Sequence, residues 1–80
     1  MENEIIEIIE KVSGYMDLKN NKNIDLLETN ILDSLAFIDL ITELEEHFDI
    51  EIQPTEISPD TWRNLNSICN LVSKLHKNQI

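Results

Sequence analysis

The residues best suited to chemistry in this sequence are Asp33 and Ser34, which stand inside the stretch ILDSLAFIDLITELEEHF running from Ile31 to Phe48. Asp33 is a good helix N-cap, because its side-chain oxygen can accept from first-turn N–H groups that lack helical partners. Ser34 then falls at the first helical position. A phosphodiester there would lie beside unpaired N–H groups at the positive end of the helix dipole, where an anion gains roughly 0.3 to 1 kcal/mol. A nucleophilic serine would need a base within hydrogen-bond reach. The only histidines are His47, far down the same helix, and His76 near the C-terminus. Ser34 is therefore read as a hydroxyl that receives a modification, and no residue is assigned a catalytic role. Cys69 falls on the apolar face of its own helix and reads as a buried thiol. One cysteine and two distant histidines give no zinc-ligand spacing. The region around Asp25 and Glu28 lacks the alternating oxygen ligands and central glycine of a calcium loop, so no metal site is expected.

The helix that positions Ser34 is amphipathic. At about 100° per residue, Phe37, Leu40, Ile41, Leu44 and Phe48 gather on one face, which belongs in a core. Asp39, Thr42, Glu43 and Glu46 gather opposite. Leu35 falls among these acids and Ile38 at the margin, an arrangement that suits docking, since an interface commonly sets an apolar anchor inside a polar rim.

Eighty residues make one small domain, 1–80, with an ordered core expected over about 4–76 and near the lower limit of independent stability. The formal net charge is −10, with six Lys and Arg against sixteen Asp and Glu. Partners should therefore be basic, and nucleic acid is excluded for want of a dense cationic patch. A lone cysteine forms no internal disulfide, and MENEIIEIIEK lacks the positive start and long apolar run of a signal peptide. The reading is cytoplasmic, with no apolar stretch near the roughly 20 residues that span a bilayer.

Along the chain, Ile5, Ile9, Val12 and Met16 recur at helical spacing, with Ile8 and Tyr15 beside them, predicting a first helix from about Glu4 to Met16. Gly14 weakens its last turn. Lys19–Asn23 is a turn-prone cluster that begins a long connection to Asp33, pinned by Ile24, Leu26, Leu27, Ile31 and Leu32. Asp49 ends the second helix, and Glu51–Pro54 is extended. A short turn or helix begins near Thr55, with a further start at Ser58 as cap and Pro59 at the first helical position. Trp62 closes one end of the core, its N–H directed at a partner. Asn64 caps a last helix whose stripe is Leu65, Ile68, Cys69, Val72 and Leu75. Lys77–Ile80 reads as a frayed tail. The fold class is all-α: a small four-helix bundle of three main helices plus one short helix, with a long loop between helices 1 and 2. A monomer is expected.

Asp33-Ser34-Leu35, followed by a hydrophobic and acidic helix ending in Glu45-Glu46-His47-Phe48-Asp49-Ile50, resembles the attachment site and second helix of acyl carrier proteins, and the resemblance runs from the first helix to Leu75. It implies a covalent 4′-phosphopantetheine, derived from coenzyme A, on Ser34, with Asp33 as part of what a phosphopantetheinyl transferase recognises. It further implies an adenylate-forming ligase or acyltransferase that loads the arm and a downstream acceptor enzyme that unloads it, read through Leu35, Ile38, Asp39, Thr42, Glu43 and Glu46. The chain itself would catalyse nothing. Leu26–Ser34, Thr55-Glu56-Ile57 and Asp60-Thr61-Trp62 look most like the D-alanyl carrier proteins, implying D-alanine bound for teichoic acids. Fatty-acyl, polyketide and other amino-acid carriers share the frame, and an unmodified acidic interaction module is the alternative from another class. Asn30 replaces a glycine found in some carriers and tolerates the same left-handed backbone. Ala36 and Thr42 depart from an acidic and an apolar residue common in the family, which bears on partner choice.

Overall fold

In the computed structural model, which describes residues 2–77, three α-helices are joined by irregular segments and short 3-10 turns. They are α1 (Glu2–Ser13), α2 (Ser34–Phe48) and α3 (Leu65–Lys77). The architecture is all-helical, as expected. The tail expected over Lys77–Ile80 lies, beyond Lys77, outside the described residues.

α1 stops three residues short of the expected Met16. Gly14 takes φ +80° and donates its N–H to Glu10 O at 2.8 Å, closing the helix with the left-handed residue that glycine adopts without steric cost. Ser13 Oγ reinforces the end, donating to Ile9 O and accepting from Tyr15 N. Met16 is thereby carried past the helix and left 75% exposed, so it is not a core residue. Ile6, off the expected stripe, is fully buried because α1 packs against both α2 and α3 and needs a wider apolar face. Leu18, in the 3-10 turn Leu18–Asn20, is buried as well.

The long connection is pinned by the expected leucines. Leu26 and Leu32 are buried, and Ile24, Leu27 and Ile31 pack against the core. Leu32 N donates to Leu26 O at 2.9 Å, and Asn30 adopts φ 61°, the left-handed conformation its residue type tolerates. α2 then starts on the Asp33 cap and ends at Asp49, whose φ of 53° turns the chain out of the helix. Leu40 and Leu44 are fully buried, with Phe37, Ile41 and Phe48 packed around them.

After α2, Ile50 and Ile52 are buried and Ile52 N donates to Glu45 Oε2. The short fourth helix is realised as two 3-10 turns, Pro54–Glu56 and Pro59–Trp62. Each proline starts a turn and holds the residue before it out of the helical region: Gln53 has ψ 92° and Ser58 ψ 136°. The two turns therefore cannot merge. Ser58 Oγ accepts from Asp60 N, as its capping role requires. Trp62 is 3% exposed and meets Phe37 edge to face, ring centroids 5.2 Å apart, closing one end of the core. Asn64 Oδ1 accepts from Ser67 N at 2.8 Å and starts α3, which buries Leu65, Ile68 and Val72.

Candidate functional site

Ser34 is the first residue of α2 and is exposed. Asp33 before it is extended, and its Oδ1 accepts from Ala36 N at 2.8 Å while its carbonyl accepts from Phe37 N at 2.8 Å. Two of the helix's first-turn donors are thus satisfied. Among the described residues the N–H groups of Ser34 and Leu35 have no protein acceptor and remain available to an anion beside the Ser34 hydroxyl.

Beside Ser34 opens a groove of about 390 Å³, walled by Leu27 and Leu32 of the long connection, Phe37 of α2, and Ile57, Pro59 and Trp62 of the 3-10 segment. Asp33 is the one ionisable residue lining it. A free donor pair at the serine and an apolar groove next to it fit a phosphodiester on Ser34 with apolar groups of the attached arm lying beside it. His47 lies thirteen positions further along α2, about 20 Å by helical rise. It is engaged with Glu4 of α1 at 2.7 Å, and this hydrogen bond is the main reason that the Glu4 carboxyl sits below its ordinary range.

On the outer face of α2, Leu35 is 75% and Ile38 59% exposed, with Asp39, Thr42 and Glu46 exposed beside them. Glu43 behaves differently: it is half-buried and paired with Lys11 of α1 at 3.3 Å. Thr42 Oγ1 donates to Ile38 O within its own helix. Sequence patterning put Glu43 on the open face and gave no sign of Lys11, since the two are 32 positions apart.

A polar cluster around Arg63 also went unforeseen. Arg63, the chain's single arginine, donates Nη1 to Asp25 Oδ2 at 3.0 Å and Nε to Asp60 Oδ1 at 2.8 Å. Asp25 Oδ1 in turn accepts from Leu27 N and Glu28 N. The Glu28 N–H, then Arg63 and the Leu27 N–H, hold the Asp25 carboxyl below its ordinary range, while Asp60 and Asp25 hold the guanidinium above its own. Cys69 is half-buried on α3, and burial pushes its thiol up, away from the reactive thiolate. Among the described residues no group of three His, Cys, Asp or Glu side chains is placed to hold a metal ion, and no helix is long and apolar enough to cross a membrane.

The family defined by a phosphopantetheine attachment site matches residues 3–72 of this chain. The chain belongs to that family of carrier proteins. Among relatives in the family, the D-alanyl carrier protein of Lactococcus lactis subsp. lactis is 40% identical over 74 residues, covering 92% of this chain and 94% of the relative. The D-alanyl carrier protein of Bacillus subtilis is 32% identical over 72 residues, covering 90% and 92%. In three dimensions the chain is similar to the solution structure of a holo acyl carrier protein from Nitrosomonas europaea. The TM-score is 0.74 at 30% identity, with 99% of this chain and 96% of that one covered. The carrier family's cofactor is a covalently attached 4′-phosphopantetheine, and the free donors and apolar groove described above fit it.

Proposed function

We propose that Ser34 is the attachment point and that the cargo is D-alanine, handed from an activating ligase to an acceptor enzyme on the way to teichoic acids. The observation that carries this reading is the exposed Ser34 hydroxyl at the start of α2, flanked by two unpaired backbone donors and an apolar groove. When attached, the arm supplies a terminal thiol on which the acyl group is held as a thioester. The chain's own residues do the rest. Ser34 Oγ would carry the arm's phosphodiester, and the Ser34 and Leu35 N–H groups would favour its negative charge. Asp33 fixes the helix start that presents the serine and gives the phosphopantetheinyl transferase a carboxylate to read. Leu35 and Ile38, rimmed by Asp39, Thr42 and Glu46, form the face on which successive enzymes dock, with Glu43 contributing less because Lys11 already holds it.

The chain acts as a single carrier unit over about residues 4–76, works in the cytoplasm and performs no catalysis of its own. Support for D-alanine comes from relatives named D-alanyl carrier proteins at 32% and 40% identity over most of the chain. The arm-bearing protein, given ATP and a D-alanine-activating ligase, is expected to gain one D-alanyl group by intact mass. L-alanine and long-chain fatty acids, each offered with its own ligase, should load at least about tenfold more slowly, a difference of roughly 1.4 kcal/mol in transition-state binding. Preferential fatty-acyl loading would overturn the D-alanine assignment.

A further inference from the structure

The groove beside Ser34 has two walls that belong to segments far apart in sequence. Leu27 and Leu32 come from the long connection, and Ile57, Pro59 and Trp62 from the proline-started turns. The second wall touches the core through Ile57 and Trp62, and the stretches between are lightly anchored. Pro54, Thr55, Glu56, Ser58 and the neighbouring Pro59 and Asp60 bury little, and the segment hangs between Ile52 and Trp62, which are buried. Such a stretch, poor in buried apolar contacts, belongs to the low-stability end of a fold.

Among the described residues, two hydrogen bonds tie the long connection to this segment, and both use Arg63. Leu26 N donates to the Arg63 carbonyl at 2.5 Å, and the Arg63 guanidinium donates to Asp25 Oδ2 at 3.0 Å. The same guanidinium reaches Asp60 in the turn itself. Asp25 meanwhile accepts from the N–H groups of Leu27 and Glu28, so the carboxylate that holds Arg63 also shapes the backbone presenting Leu27 to the groove. One planar, five-donor group therefore links the two segments that carry the walls, a geometry a lysine cannot reproduce, while the Leu26–Arg63 bond is made by backbone alone.

We propose that Arg63 is a positioning residue: its fork onto Asp25 and Asp60 sets the spacing of the groove walls and thereby how far water reaches the arm and cargo held at Ser34. The part concerning cargo rests on the attachment reading above; the part concerning the walls does not. The fork lies at the surface, where solvent screens it, so the expected effect is only a two- to fivefold change in the open population, about the scale of an exposed ion pair.

Trp62, the chain's single tryptophan, stands in the wall and reports on it. In the unmodified full-length protein, acrylamide quenching of its fluorescence should rise about two- to fivefold in Arg63→Ala, with helical circular dichroism unchanged, and by less in Arg63→Lys. Raising salt to about 0.5 M, where the Debye length falls below 5 Å, should move wild type toward Arg63→Ala and leave that variant unmoved. Val72→Ala, which removes core packing and none of the fork's hydrogen bonds, should lower the unfolding midpoint without this quenching signature. In the loaded protein the thioester half-life should shorten by a similar factor. Native quenching in Arg63→Ala, or equal quenching in Val72→Ala, would overturn the proposal. Should Arg63→Ala fail to fold, Asp25→Asn, which keeps an acceptor for Leu27 and Glu28 while losing the charge, is judged by the same readings. Absence of any arm on Ser34 would refute the attachment reading while leaving the quenching result to stand or fall separately.

Discussion

Leu44→Ala is expected to leave the chain largely unfolded in dilute buffer. Leu44 has no solvent exposure and lies in the second half of α2 on the face packed into the core. Truncating a fully buried leucine costs the transfer energy of the removed methyl groups plus that of the cavity, about 2–5 kcal/mol. A domain of this length rarely holds more than about 3–5 kcal/mol in its core, and a net charge of −10 adds self-repulsion. Urea unfolding followed by circular dichroism, in the presence and absence of salt, gives the loss directly. A drop smaller than about 1 kcal/mol would mean that the packing around α2 differs from that described here.

Leu35→Ala should show the opposite signature, an intact fold with impaired transfer. The side chain is 75% exposed, so its truncation should change stability by no more than about 0.5 kcal/mol. If Leu35 is the apolar anchor on which enzymes seat α2, kcat/KM for arm attachment and for loading should fall about 10- to 100-fold, the range of an interface hot spot losing roughly 1.4 to 2.7 kcal/mol. Glu43→Gln is the internal comparison. Its carboxylate is already engaged by Lys11, and it should lose less than about threefold, within the small worth of a partly exposed pair. Equal losses at both positions, or none at Leu35, would contradict the docking face as drawn.

What the sequence made legible was local. The caps at Asp33, Ser58 and Asn64 each make the bond expected of them, because a cap is read from residues two or three positions away. The exposed Leu35 and Ile38 follow from helical geometry alone, and the left-handed Asn30 from its residue type. Met16 was misplaced because a single glycine at φ +80° outweighed an unbroken apolar spacing. The side-chain contacts that join α1 to α2, and Arg63 to Asp25, lie 32, 43 and 38 positions apart. No periodicity in a charged chain indicates which of sixteen acids meets which of six Lys and Arg or two His. Those contacts appear only once the helices are packed, and they decide both how free Glu43 is and what holds the groove walls.

The most direct test of the carrier assignment is the intact mass of the purified protein before and after incubation with coenzyme A and a broad-specificity phosphopantetheinyl transferase, with Ser34→Ala treated in parallel. One phosphopantetheine added to wild type and none to the folded variant is the expected result. A folded wild-type chain that stays at its unmodified mass while a known carrier is converted, or a Ser34→Ala chain that still gains the arm, would contradict the account of Ser34.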